Sequence, residues 1–434
     1  MKRVAFHTLG CKVNHYETEA IAELFKDNGY QVVDFTDTAD VYVINTCTVT
    51  NIGKKKSGQI IRRARRNNKD AIIVVMGCYP QVAHQEVSSI PGVNIIIGTQ
   101  NRQKVVELVE KFESDRRQIV DVGNITAQRE FEDIGIRAYR DRTRAFIKIQ
   151  DGCDRFCSYC IIPYARGRVR SRRPDSIIDE VNRISQSGYK EVVLTGIHVA
   201  SYGKDLGNIE LIDIIAGIHE IKGIQRIRLS SIEPLAIDEN FVQRCKPLYK
   251  LCPHYHVSLQ SGCDSTLKRM NRRYTAEQYR NVINMLRNNI NDVSITTDII
   301  VGFPGETKEE FEQTYKFLEE MEFSKMHVFK YSPRKGTPAA KFADQVAYSE
   351  KEERSNKLLE LDLKNQYKFK KRFIGRQMDV LFERQVKRRL ELMEGLTPNY
   401  INIAVKAGKN LQATIQTVKL TNIECDYIIG EIIL

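Results

Sequence analysis

The sequence predicts an α/β protein in three parts: an N-terminal open parallel α/β sheet domain, a central partial (β/α)6 TIM-like barrel, and a small C-terminal all-β, OB-like barrel. Three observations predict it. Apolar strands alternate with helical stretches at a period near 30 residues over 1–112, and six more such units follow over about 190 residues. After residue 376 come about five short strands with no helical period between them.

In the first part, strands are expected at 3–8, 41–46, 71–76 and 94–98, with helices over 15–28, 52–67, 81–89 and 102–112. The strands are near-continuous apolar runs, which suits a sheet covered on both faces. Residues 113–142 are charged and irregular and read as a linker. The second series has strands at 145–151, 191–196, 226–231, 254–260, 294–301 and 326–331, with helices such as 175–187, 209–220, 275–288 and 307–321. The core therefore spans 143–348, a charged helix covers 349–371, and the last domain is 372–434. Active groups of such a barrel sit at the carboxyl ends of its strands.

Composition excludes several classes. The chain has 434 residues, 42% hydrophobic and 28% charged, so it is neither a disordered tail nor a disulfide-stapled miniature. No run of 18 apolar residues occurs, and the start MKRVAFHTLGCKVN has no signal-peptide pattern; a cytoplasmic, membrane-free protein is expected. Net charge is +12, and the excess is clustered. Seven basic residues and no acid lie in 54–66, including Lys54, Lys55, Lys56, Arg62 and Arg63. Five lie in 165–173, including Arg166, Arg168 and Arg170, and four in 268–273. Such runs suit a polyanion such as RNA. Solvated helix faces would explain them too, so charge alone does not decide.

Ten cysteines in a cytoplasmic chain need a reason other than disulfides. Cys153, Cys157 and Cys160 form a C-x3-C-x2-C run directly after a strand. Structural zinc would want a fourth ligand, usually from a second cysteine pair, and none lies nearby. Three thiolates on one loop fit an iron–sulfur cube with one iron left open. Cys11, Cys47 and Cys78 are far apart in sequence, yet each follows a strand end, and parallel strands bring those ends to one edge of the sheet. Three buried core cysteines remain the alternative. The C-x6-C-x-H-x-H set Cys245, Cys252, His254 and His256 resembles a metal site only superficially, and packing is expected for it, as for Cys263 and Cys425.

The run CDRFCSYC resembles the radical S-adenosylmethionine (SAM) superfamily. The flanking CSYCIIPYARGRVRSR and the N-terminal trio narrow the likeness to the methylthiotransferases, over essentially the whole chain and in that family's order of cysteine-trio domain, radical SAM barrel and TRAM domain. VVLTGIHVASYG at 192–203, HYHVSLQSG at 254–262 and TTDIIVGFPGET at 296–307 match as well. Ser258 departs from the proline common in relatives, and the TRAM likeness rests mainly on GRQMDVLFE.

The resemblance implies two 4Fe-4S clusters. Cys153, Cys157 and Cys160 would hold the one that binds and cleaves SAM to a 5′-deoxyadenosyl radical; Cys11, Cys47 and Cys78 would hold an auxiliary one carrying the sulfur to be donated. Thr195, Gly196, Gln260 and Asp298 would contact SAM. TLGCKVN resembles the subfamily acting on threonylcarbamoyladenosine 37 of tRNA, and Arg166, Arg168 and Arg170 are the expected carboxylate readers. Partners would be tRNA and an electron donor such as flavodoxin or ferredoxin, with no DNA. Alternatives are the isopentenyladenosine substrate, a ribosomal-protein aspartate, or a non-catalytic RNA-binding metalloprotein; the last would lack the SAM-site motifs that are present here.

Overall fold

The computed structural model describes every residue except 49–50, 138–142, 388, 409, 425 and 434, together with the side chains of 51–55. Its N-terminal domain is a six-stranded parallel sheet. The strands are β1 (Arg3–Thr8), β2 (Gln31–Val33), β3 (Val41–Thr46), β4 (Ile72–Gly77), β5 (Ile95–Ile97) and β6 (Ile119–Asp121), in the order β2-β1-β3-β4-β5-β6. Helices α1 (Lys12–Asp27), α2 (Asn51–Asn67), α3 (Cys78–Ser88) and α4 (Val105–Asp115) cover both faces. Alternate strand residues explain this: Val4, Val43, Val74 and Ile95 pack with Ile21 and Val109, while Tyr42, Ile44, Ile73 and Val75 pack with Ile61 and Val87 on the other side. The strand order reverses between β1 and β3, and such a switch point opens a crevice at the strands' carboxyl ends.

The expected linker contains sheet structure. Helix α4 runs to Asp115 and β6 pairs in parallel with β5, so the domain continues past residue 112. The edge strands β2 (QVV) and β6 (IVD) are short and only partly buried, so they lack the all-apolar run that marks the equally short β5 (III). Beyond them, Glu132 bonds the buried Arg102 (2.8 Å) and Asp133 bonds Arg172 (3.0 Å). The charged stretch is thus a strap between the domains.

The core carries β7 (Arg144–Lys148), β8 (Gln150–Asp151), β9 (Arg170–Ser171), β10 (Glu191–Thr195), β11 (Arg226–Leu229), β12 (His254–His256), β13 (Ser294–Val301) and β14 (Lys325–Lys330). Two parallel triplets, β11-β10-β7 and β12-β13-β14, are joined by the bridges Ile227↔Leu251 and Ile232↔Val257, which gives the six-unit partial barrel. Its helices are α5 (Ile162–Arg166), α6 (Pro174–Gln186), α7 (Leu211–His219), α8 (Glu239–Cys245), α9 (Asp264–Arg269), α10 (Ala276–Asn289) and α11 (Lys308–Met321). Capping boxes at Thr275 with Gln278 and at Thr307 with Glu310 start α10 and α11. Helix α12 (Tyr348–Lys371) leads to β15 (Gln377–Val386), β16 (Arg389–Leu396), β17 (Asn402–Lys406), β18 (Ile415–Ile423) and β19 (Ile428–Ile432), which close in the order β15-β16-β17-β19-β18.

This small barrel seals the amino-terminal floor of the larger one. Arg226 donates to the carbonyls of Leu396 and Asp379, and Arg228 to those of Pro398 and Thr397 (2.9–3.3 Å). Tyr400 stacks on His254 at 4.4 Å between centroids, under the Arg228 guanidinium.

Candidate active site: two cysteine trios

Cys11 leaves β1 and caps α1, Cys47 leaves β3, and Cys78 opens α3 after β4. All three stand at the switch-point edge of the sheet. A Cβ placed on Gly10 would lie 2.9 Å from the Cys47 Cβ, so these two loops touch. Burial pushes the Cys78 thiol up to about 12; Arg166 opposes the shift, and Cys11 and Cys47 are near enough to add to it. A buried thiol that resists ionisation when bare needs positive charge beside it to become a thiolate ligand.

The second trio sits on the loop after β8. The Cys153 N–H donates to the Gly167 carbonyl and the Cys160 N–H to the Cys157 carbonyl, both at 2.9 Å. Burial pushes Cys153 up to about 11 and Cys160 up to about 12. Arg272 donates to the Cys157 sulfur at 3.4 Å and to the Ser258 carbonyl at 3.3 Å.

Neither trio fits a single ion. Two sulfurs on one zinc lie no more than about 4.6 Å apart, twice the Zn–S length. Among the described residues, only His256, Asp298 and His327 bring three ligand atoms within 4.8 Å. Three thiols set more widely than that suit a multi-iron cluster better than a single ion. The histidine set is already joined by hydrogen bonds: His254 Nε2 and His256 Nδ1 both meet Thr296 Oγ1, and His256 Nε2 stands 3.2 Å from Asp298. Cys245, Cys252 and Cys263 are buried and belong to no such group, while Cys425 lies outside the described residues.

At the other expected positions the structure is specific. Gln260 (φ 73°) donates its N–H to the Asp298 carbonyl at 2.8 Å, which brings the segment after β12 beside the middle of β13. Thr195 is wholly buried at the end of β10. Gly196 leaves room for Gln150, whose Oε1 would lie 2.9 Å from a Cβ there and which accepts from the His198 N–H. Its smallness therefore serves a protein contact.

The basic runs divide, and one expectation is corrected. Arg166, Arg170 and Arg172 are buried, with Arg166 fully enclosed among Glu17, Asp151 and Asn14. Neither Arg166 nor Arg170 offers a surface to RNA, because both side chains are enclosed by protein. Arg168 and Arg173 are exposed. They line a cavity of about 840 Å³ with Arg129, Arg155, Lys204 and Arg273. On α2, Lys56, Arg62 and Arg63 are exposed; the side chains of Lys54 and Lys55 lie outside the described residues. Sequence reasoning missed Asn14, Glu17, Glu233 and Arg272. The i, i+3 spacing of Asn14 and Glu17 on the turn after Cys11 is the signal that places the first two on one helix face.

A family model for the radical SAM superfamily matches residues 147–318, and one described as uncharacterized protein family UPF0004 matches residues 3–98. The chain belongs to the radical SAM methylthiotransferase family, which implies S-adenosylmethionine and a 4Fe-4S cluster. It is 44% identical over its whole length to threonylcarbamoyladenosine tRNA methylthiotransferase MtaB of Bacillus subtilis, covering 97% of that protein. It is 40% identical to the MtaB of Aquifex aeolicus over 94% of this chain and 98% of that one. A tRNA-2-methylthio-N(6)-dimethylallyladenosine synthase of Acetivibrio thermocellus is 35% identical over 98% of this chain and 90% of its own length. Among solved structures, the radical SAM methyltransferase TsrM of Kitasatospora setae shares the fold, with a TM-score of 0.58 over 78% of this chain and 75% of that one at 15% identity.

Proposed function

We propose that the chain is a tRNA methylthiotransferase converting N6-threonylcarbamoyladenosine 37, beside the anticodon, to its 2-methylthio derivative. The observation that carries this is the pair of cysteine trios meeting through residues 165–167, in a chain similar from end to end to the MtaB relatives. Cys153, Cys157 and Cys160 would hold a cluster that supplies the electron for cleaving S-adenosylmethionine, and Cys11, Cys47 and Cys78 one that supplies the sulfur.

The residues divide the work. The loop of Cys153, Cys157 and Cys160 lies at the carboxyl face of the barrel, where Gln260 and Asp298 offer polar atoms to S-adenosylmethionine. Thr195 acts through the backbone it anchors. Arg168, with Arg155, Arg173 and Arg273, gives the cavity beside that loop positive charge for phosphates and for the threonylcarbamoyl carboxylate. Such a site discriminates against an apolar isopentenyl group, because its donors would be left unpaired. In this reading 1–112 with its strap is the auxiliary-cluster domain, 143–348 the radical SAM core, and 372–434 a TRAM domain that anchors RNA. The reducing equivalents come from a flavodoxin or ferredoxin in the cytoplasm. Among the described residues, no helix is long and apolar enough to cross a membrane.

Mass spectrometry of tRNA nucleosides from cells with and without the protein tests the assignment. The 2-methylthio nucleoside should vanish with the protein while its threonylcarbamoyl precursor accumulates. A precursor pool that does not change defeats it.

A further inference from the structure

Arg166 ends α5, six residues after Cys160, yet its side chain is in the N-terminal domain and fully buried. All five of its N–H groups are engaged. Nη1 donates to Glu17 and to Asp151 (3.2 Å to the latter), and Nη2 to Asn14 Oδ1 (2.8 Å) and Glu17 Oε2 (3.0 Å). The fifth, on Nε, donates to the Cys78 sulfur at 3.2 Å. The same Asn14 oxygen lies 3.6 Å from the Cys11 sulfur, so two of the three auxiliary thiols meet this guanidinium or its immediate partner.

The backbone around Arg166 is pinned from both sides. The Ala165 carbonyl accepts from Thr99 Oγ1 of the N-terminal domain at 2.7 Å. The Gly167 carbonyl accepts from the Cys153 N–H at 2.9 Å. Three consecutive residues therefore touch the N-terminal sheet, an auxiliary thiol and the first cysteine of the radical SAM loop.

We propose that Arg166 is a positioning residue of the auxiliary cluster: it holds the Cys78 sulfur through an N–H···S bond, favours the reduced cluster, and fixes that site to the radical SAM loop. A donor on a ligating sulfur and a fixed cation beside it both stabilise the more negative oxidation state, which raises the reduction potential. Glu17 sets how much of the guanidinium charge reaches the sulfur, because it is the carboxylate that pairs with Arg166 most closely. The inference rests on the two-cluster reading above.

The test uses the full-length chain with Cys153, Cys157 and Cys160 all changed to Ala, reconstituted anaerobically so that only the auxiliary site holds iron. About four irons per chain are expected. An iron-free product would defeat the two-cluster reading itself. With iron present, an EPR-monitored redox titration compares Arg166→Gln, Arg166→Lys and Glu17→Gln in that background. The expected pattern is a more negative midpoint for Arg166→Gln, partial recovery for Arg166→Lys, and a more positive midpoint for Glu17→Gln. A midpoint that stays put in Arg166→Gln at equal iron content overturns the proposal. Should Arg166→Gln not fold by circular dichroism, Arg166→Lys and Glu17→Gln decide: unchanged midpoints in both overturn it, and opposite shifts support it.

Discussion

Glu233 follows β11 into the site, where its carboxylate accepts from Arg155 and stands 3.3 Å from His198 Nε2. Burial alone would push its carboxyl up; His198 and Arg155 outweigh that, with Arg272 adding, and hold it down at about 2 against an ordinary 4.5. A depressed carboxyl stabilises the fold fully above the unfolded value and loses that contribution as pH falls from about 4.5 toward 2. Glu233→Gln removes the effect. Urea midpoints of the parent should drop from pH 5 to pH 3 more steeply than those of the variant, and parallel curves would show the carboxylate to be uncoupled from folding. At this scale the placement of both cysteine trios after strand ends was legible from the sequence. Asn14 and Glu17 show only that they share a helix face, and Arg272 shows nothing, since a polar residue on a loop carries no mark of what it will be buried against.

The glycines before Cys78 and Cys153 decide how the strands hand over their thiols. Gly77 has φ 102°, and a Cβ there would meet the Asn45 Oδ1 at 2.5 Å and the Thr46 carbonyl at 2.7 Å. Gly152 has φ 75°, and its Cβ would lie 1.7 Å from the Arg168 carbonyl. An L-residue at positive φ costs about 1–2 kcal/mol before any clash. Gly152→Ala should therefore displace the loop of Cys153, with iron content about halved and 5′-deoxyadenosine production lost. Gly77→Ala should halve the iron as well but keep S-adenosylmethionine cleavage. Iron assay and product chromatography on reconstituted protein distinguish the two. Long elements with a clear period, such as α10, α11 and α12, agree with their sequence expectation within a few residues. The short β2 and β6 emerged only because a neighbouring strand offered them partners.

Across the molecule, the small barrel is part of the large one's stability. Removing residues 373–434 would strip Arg226 and Arg228 of the four carbonyls they bond, at a cost on the order of 5 kcal/mol. It would also leave those charges facing an open floor. Truncation after Arg372 should thus lower the thermal midpoint of the remaining core; an unchanged midpoint would make the floor contact dispensable. RNA binding is better probed on the surface. Changing Lys56, Arg62 and Arg63 together to Ala should weaken tRNA binding regardless of its modification and flatten the slope of log K against log salt by about 2. Filter binding from low to high salt measures both.

Strand–helix alternation and the final strand-rich stretch are local in origin, so the three-part α/β plan could be read along the chain. So could the C-x3-C-x2-C loop, whose ligands are neighbours in sequence. The fate of the positive charge could not. Arg166 and Arg168 are two residues apart in one basic run, yet one is enclosed against Cys78 and the other faces solvent. Composition counts a buried, salt-bridged guanidinium and a solvated one alike. Only the packing of α1 against β7, which brings Glu17 to Lys148 and Asp151, determines which arginine pairs with a carboxylate and which is left for a phosphate.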